Sequence, residues 1–241
     1  MKRTYKIYPI MTCKIIQDQG WFTYRANYGN KIIIPVYAWL IKGGEKPFLV
    51  DTGCTYEDMK KHSTVYHIGG EEGTPVEDAL QEMGISVSDI ETIILTHIHW
   101  DHILNAKKFP NAKFVVQEEE LRFANNPHPL FAKGMYGKES FRGLNLETIN
   151  GDTEIMPGIE AILTPGHTPG GQSVSITTEQ GKMVIVGYCS IDENFGEQGD
   201  MVVGMHTNLF ECYDSMVKIR EIADTIIPLH SQRLMNVKSL P

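Results

Sequence analysis

Apolar and polar positions change their period several times along the chain, and each change marks an element. Ile32–Ile41 and Phe48–Val50 are apolar runs rich in β-branched and aromatic residues, the pattern of strands buried on both faces. Tyr5–Ile10 and Cys13–Ile16 predict two shorter strands ahead of them, separated from Ile32 by a polar stretch that carries Trp21, Phe22, Tyr24 and Tyr28. Thr74 then signals a helix. It can serve as N-cap, with Pro75 as first helical residue and Glu77 as return partner in a capping box. Val76, Ala79, Leu80 and Met83 share one face, and Gly84 stops the helix.

Beyond that helix, Thr92–Leu95 and Phe114–Val116 predict short buried strands and Glu118–Ala124 a helix. Residues 125–146, with His128-Pro129, Gly134 and Gly137, predict a long loop of the kind that carries function or moves. Ile159–Leu163, Ser173–Thr177 and Met183–Val186 follow as strands, the last two joined by a turn through Gly181. Phe210–Ala223 predicts an amphipathic helix with Phe210, Tyr213, Val217, Ile219 and Ile222 on its core side, and Thr225–Ile227 a last strand. The order fits two β-sheets face to face with helices outside, which periodicity alone does not separate from other α/β sandwiches.

The chain has 241 residues, 41% of them hydrophobic, enough for a sizeable core, and no Pro/Ser-rich linker or charge block divides it. One domain over residues 1–241 is the expectation. A net charge of −8 argues against nucleic acid as partner, because phosphate recognition needs clustered Lys and Arg. Neither a signal-peptide pattern nor an apolar stretch of transmembrane length is present in the sequence, so no membrane partner is expected. The 4 cysteines (Cys13, Cys54, Cys189 and Cys212) are scattered and form no Cys-x-x-Cys pair, which points to a reducing cytoplasm.

Chemistry is concentrated in Thr96-His97-Ile98-His99-Trp100-Asp101-His102, directly after the strand that ends at Leu95. His97 and His99 are two apart, so an extended segment turns both imidazoles to one side. Asp101 and His102 add a carboxylate and a third imidazole, a donor set that suits zinc, with room for a second metal. His167 stands in a tight loop, Thr164-Pro165-Gly166-His167-Thr168-Pro169-Gly170, and His230 in Pro228-Leu229-His230; both loops follow strands. His62, His67 and His128 read as surface histidines. Trp21, Phe22, Tyr24 and Tyr28 fit either an apolar pocket or a hairpin of aromatic pairs.

These motifs, together with Val50-Asp51-Thr52-Gly53, resemble the metallo-β-lactamase superfamily over roughly Ile32 to His230. Within it, Ile34–Trp39, Val116-Gln117-Glu118, Asp192–Phe195 and the approach to Pro228 are similar to the N-acyl-homoserine lactonases. The resemblance implies an αβ/βα four-layer sandwich. It implies one or two zinc ions per chain, the first on His97, His99 and His167, the second on Asp101, His102 and His230, with Asp51 behind the ligands. It further implies hydrolysis of a small carbonyl substrate by lactonase-like ring opening, because a metal activates water and polarises the carbonyl. Asp101 would orient or accept the proton, and the partner would be a small-molecule substrate. A thioesterase, a cyclic-amide hydrolase, an iron-dependent oxygenase and a non-catalytic metal-binding sensor are the rival readings.

One position departs from the family pattern. An Asp that bridges the metals stands there in the family, whereas this chain reads Val186-Gly187-Tyr188-Cys189-Ser190. Tyr188, as phenolate or proton donor, is expected at the site as a catalytic residue. Cys189 and His206 are the alternative replacements, and an unequal pair of metals with a weaker second site is the expected consequence. The lactonases also use a tyrosine shortly after that Asp, where Ser190 and Ile191 stand here.

Overall fold

The computed structural model describes residues 3–62, 69–132, 135–196 and 199–241. The strands are β1 (Lys6–Asp18), β2 (Lys31–Lys42), β3 (Phe48–Val50), β4 (Gly69–Glu72), β5 (Thr92–Ile94), β6 (Lys113–Gln117), β7 (Asn145–Ile149), β8 (Thr153–Met156), β9 (Ile159–Leu163), β10 (Gln172–Thr178), β11 (Gly181–Ile185), β12 (Phe195–Gly196), β13 (Gly199–Asp200) and β14 (Thr225–Ile227). The helices are α1 (Tyr56–His62), α2 (Val76–Glu82), α3 (Trp100–Ile103), α4 (Glu118–Asn125), α5 (Pro129–Ala132), α6 (Lys138–Phe141) and α7 (Leu209–Ile222). A 7-stranded mixed sheet runs β4-β1-β2-β3-β5-β6-β7, and a 5-stranded sheet runs β14-β11-β10-β9-β8.

Side-chain alternation along the strands builds the layers. On β2, Tyr37, Trp39 and Ile41 face the second sheet, where they meet Val174, Ile176, Met183 and Ile185. The alternate residues Val36, Ala38 and Leu40 face outward onto Val76 and Leu80 of α2 and Ile103 of α3. On β11, Ile185 points between the sheets, whereas Val184 points outward to Cys212, Met216 and Ile219 of α7. Helices, sheet, sheet, helix is therefore the layer order, the αβ/βα sandwich expected. Among the described residues, no helix is long and apolar enough to cross a membrane.

The structure corrects several local expectations. The first two strands are one, bent by a bulge between Met11 and Cys13 that keeps both halves paired to β2. The second helix begins at Val76 with Pro75 as N-cap and no side-chain cap bond, and Thr74 N donates to the Met11 carbonyl. Residues 125–146 hold α5, α6 and the start of β7 rather than one long loop. The register of the last helix differs most. Phe210 is 80% and Tyr213 51% exposed, and the buried face is Cys212, Ser215, Met216 and Ile219. Asn208 sets that register by capping Phe210 and Glu211 through Oδ1.

Candidate metal centre

β3 and β5 of the first sheet, with β9, β11 and β14 of the second, all deliver loops to one edge of the sandwich. Asp51 follows β3, the His97–His102 run follows β5, the His167 loop follows β9, residues 187–190 follow β11, and His230 follows β14. The structure gathers two donor sets there: His97, His99 and His167 in one, Asp101, His102 and His230 in the other, all buried. Within each set the ligand atoms lie within 4.8 Å of one another. All six residues expected as ligands are thus placed in the two triads expected.

The spacing within the first set fits a shared ion. His167 Nε2 stands 3.3 Å from His97 Nε2 and 3.1 Å from His99 Nδ1. Two imidazole nitrogens on one tetrahedral zinc at about 2.0–2.1 Å would stand about 3.3 Å apart. In the second set, Asp101 Oδ2 is 3.1 Å from His102 Nε2 and 3.7 Å from His230 Nε2. His102 Nε2 is buried and lacks a hydrogen bond of good geometry even so. A buried polar atom in that state is costly, and a cation would satisfy it.

The far side of each ring explains why these nitrogens face inward. Asp51 Oδ1 accepts from Thr96 N at 2.7 Å, and its Oδ2 accepts from Thr96 Oγ1 at 2.7 Å and His102 Nδ1 at 2.8 Å. With its own proton given to Asp51, Thr96 Oγ1 accepts from His97 Nδ1 at 3.1 Å. His167 Nδ1 donates to the Met205 carbonyl at 2.8 Å, and His230 Nδ1 to the Pro35 carbonyl at 2.9 Å. Each bond fixes the tautomer and leaves the Nε2 lone pair for the centre. Gly166 makes the His167 loop possible: its φ is +124°, and a Cβ there would stand 2.3 Å from Cys212 N of α7.

Electrostatics follow from burial and the shared charges. Burial holds His167 and His230 down at about 4, and pushes His97 and His99 well below the usual imidazole range. These rings are neutral at pH 7 and ready to ligate. Burial opposes charge on His102 too, but Asp101 and Asp51 outweigh it and raise the ring to about 10. Against its own burial, Asp101 is held below the usual carboxylate range by His102.

Other expected site residues lie elsewhere. Tyr188 packs in the outer cluster with Val184, Val203 and Met216, on the α7 side of the second sheet, and does not reach the donor sets. Its expected catalytic place is corrected by that alternation: β11 and its extension turn 184, 186 and 188 away from the centre. Position 187 holds no side chain, since a Cβ there would stand 1.8 Å from the Gln172 carbonyl oxygen. His206 Nδ1 donates to the Val203 carbonyl at 3.0 Å while its ring meets Tyr24, outside both sets. Cys189 alone of the replacements touches a ligand, His230. His128 is exposed; His67 and the side chain of His62 lie outside the described residues.

Two features escaped the sequence reading. Glu120 is 0% exposed, and its carboxylate accepts from Ile98 N at 2.9 Å and Gly170 N at 3.3 Å, tying the His97–His99 segment to the His167 loop. Only its neighbours Glu118 and Glu119 look like the solvated helix start that the run Glu118-Glu119-Glu120 suggests. The other is a narrow apolar cleft, lined by Trp21, Phe22, Ile34, Trp100 and Met205, that opens onto Asp101, Cys189 and His230. Of the expected aromatic stretch, Trp21 and Phe22 join that cleft while Tyr28 is 69% exposed.

This fold and site define a class. Residues 33–188 match the model of the metallo-beta-lactamase superfamily, and the chain belongs to that family. An N-acyl homoserine lactonase of Bacillus thuringiensis is 30% identical over an alignment covering 80% of this chain and 77% of that protein. One of Bacillus cereus is 29% identical over the same shares. A crystal structure of a B. thuringiensis AiiA mutant with N-decanoyl-L-homoserine at its active site superposes with a TM-score of 0.81, at 25% identity, over 97% of this chain and 95% of that one. The enzyme class that these relatives define is that of lactonase-like metallo-hydrolases, as the resemblance implied.

Proposed function

We propose that this protein is a zinc hydrolase that opens the ring of a small lactone, with the acyl chain leaving the donor sets past Trp21 and Met205 into the groove those two residues share with Tyr28 and Phe131. The observation that carries the reading is the cleft itself: Trp21, Phe22 and Trp100 lead directly to Asp101 and His230 of the donor sets. When bound, the metal supplies Lewis acidity and lowers the pKa of water.

The chain's own residues do the rest. The buried apolar walls exclude bulk water from the space beside the donor sets. Asp101 is ionised and borders the cleft, so its carboxylate can accept a hydrogen bond from the attacking water and orient it toward the carbonyl. Asp51, Thr96, Met205 and Pro35 keep the imidazoles oriented throughout. The 4 cysteines are all free of disulfides, which supports a cytoplasmic site of action.

A second reading has its own observation. Ser190 Oγ accepts from Leu229 N at 3.0 Å and Ile191 is fully buried, so neither offers a tyrosine-like hydroxyl to a lactone. That favours thioester or cyclic-amide hydrolysis on the same centre. A panel of acyl-homoserine lactones, β-lactams, cyclic amides and thioesters, run with metal-loaded protein, separates the two. Fastest turnover on lactones with longer acyl chains supports the first reading. Turnover of thioesters or amides alone replaces it with the second.

A further inference from the structure

Beside the Asp101, His102 and His230 set stands a further donor. Cys189 Sγ lies 3.5 Å from His230 Nε2, and the residue is 5% exposed in the cleft that Asp101 and His230 share. Its direction follows from the strand it extends. Val184, Val186 and Tyr188 turn to α7, so Cys189 turns the other way, into the cluster that holds Trp100 and Ile191. With no room for a side chain at 187 and Tyr188 turned out, the segment 187–189 presents one side-chain heteroatom toward the donor sets, the Cys189 sulfur.

The separation carries information. A thiolate at about 2.3 Å and an imidazole nitrogen at about 2.0–2.1 Å from one tetrahedral zinc stand about 3.5 Å apart. His230 Nδ1 donates to Pro35, so His230 Nε2 carries the lone pair and the Cys189 thiol donates to it. An independent observation points to a cation at the same place: His102 Nε2 is buried, 3.1 Å from Asp101 Oδ2, and makes no hydrogen bond of good geometry.

We propose that Cys189 is the fourth protein ligand of the metal held by Asp101, His102 and His230, binding through Sγ as a thiolate. The proposal rests on the reading that both donor sets hold metal. On binding, the S–H proton leaves to solvent, and the sulfur lone pair joins the cation: thiol plus divalent ion gives metal thiolate plus one proton. Cys189 Sγ is beside His230 but outside the 4.8 Å span that the donor atoms of Asp101, His102 and His230 share, so ligation draws it closer to Asp101 and His102.

The two sets then differ in kind. Asp101, His102, His230 and Cys189 supply four donors and two negative charges, a closed tetrahedral set that favours thiophilic zinc over manganese or magnesium. His97, His99 and His167 supply three neutral donors and keep an open position, as catalytic zinc sites do. The second site is accordingly the tighter one, the reverse of the expectation from a missing carboxylate alone.

Cobalt(II) tests this without reference to activity. Metal-free protein is titrated with cobalt and read by near-ultraviolet absorption and by bound metal. Wild type should show a thiolate-to-cobalt charge-transfer band that saturates with the first equivalent. Cys189→Ser should lose the band and one metal, Cys189→Asp should regain the metal without the band, and Cys54→Ser should keep both. Two bound cobalt ions in wild type with no thiolate band overturn the proposal and leave the metal reading standing. Absence of bound metal in wild type overturns both. If Cys189→Ser does not fold, the wild-type spectrum and Cys189→Asp still decide.

Discussion

Asp51 Oδ2 accepts from His102 Nδ1 at 2.8 Å with both side chains buried, and Asp51 adopts a left-handed backbone at φ 55° to make the contact. A non-glycine residue held in that region is strained, and the carboxylate's bonds to Thr96 N and Thr96 Oγ1 hold it there. One carboxylate thereby orients His102 directly and His97 through the Thr96 hydroxyl, one ligand from each donor set.

Asp51→Asn should therefore weaken both metals. The amide keeps the size but loses the charge and one acceptor, so the His102 and His97 tautomers are no longer fixed together. A loss of about 10–100-fold in metal affinity is expected, read by competition with a chromophoric chelator. Unchanged affinity would show that the backbone alone sets the ring orientations.

Glu120 should matter for stability and for the first metal set. Glu120→Ala strips Ile98 N and Gly170 N of their acceptor in a closed interior, a loss of about 1–3 kcal/mol for each group left unsatisfied. Urea unfolding of the metal-free protein measures that cost. Because Ile98 lies between His97 and His99, and Gly170 closes the His167 loop, affinity at that set should fall further than at the Asp101 set. Equal loss at both sets would reduce Glu120 to a general packing role.

The metal-free protein should have a stability maximum near neutral pH. His167 and His230 are lowered from 6.5 to about 4, so the unfolded chain takes up protons that the folded chain refuses as pH falls from 6.5 toward 4. Their contribution is full above the unfolded value and is lost on the acid side, each with a slope of up to about 1.4 kcal/mol per pH unit. His102 is raised from 6.5 to about 10 and has the opposite sign: its contribution is full below 6.5 and is lost as pH rises through about 10. Urea midpoints taken across both limbs check this. His230→Asn should flatten the acid limb only; a limb as steep as in wild type contradicts the assignment.

Much of the centre was legible because its ligands sit at strand ends within short, dense motifs. His97, His99, Asp101 and His102 occupy four of six successive positions after a strand, and a rigid sheet can aim them only one way. The replacement for the bridging carboxylate was not legible. Gly187, Tyr188 and Cys189 are neighbours in sequence, and only the face assignment of β11, fixed by pairing with β10 and β14, says which of them points inward. Glu120 was hidden for a similar reason: one of three adjacent glutamates is buried, and tertiary contact with Ile98 and Gly170 selects it. Phe210 and Tyr213 were misplaced because hydrophobicity suggested a core face, whereas the Asn208 cap and the His167 loop set the helix rotation.

The cleft gives a prediction for specificity. Trp21→Ala should raise KM for a long-chain acyl substrate by about tenfold, the worth of part of one large apolar contact, while leaving KM for a short-chain one nearly unchanged. Steady-state kinetics on a graded series of acyl chains provide the check. A uniform change across the series would remove Trp21 from the acyl site.

On the proposed reading, two separate donor sets at one edge of the sandwich each bind a metal. The most direct measurement is bound metal per chain in wild type, His97→Ala and His230→Ala after equilibration with limiting free zinc. Wild type should bind two ions, His97→Ala should lose the weaker ion, and His230→Ala should lose the tighter one. The same stoichiometry and affinities in all three proteins would contradict it.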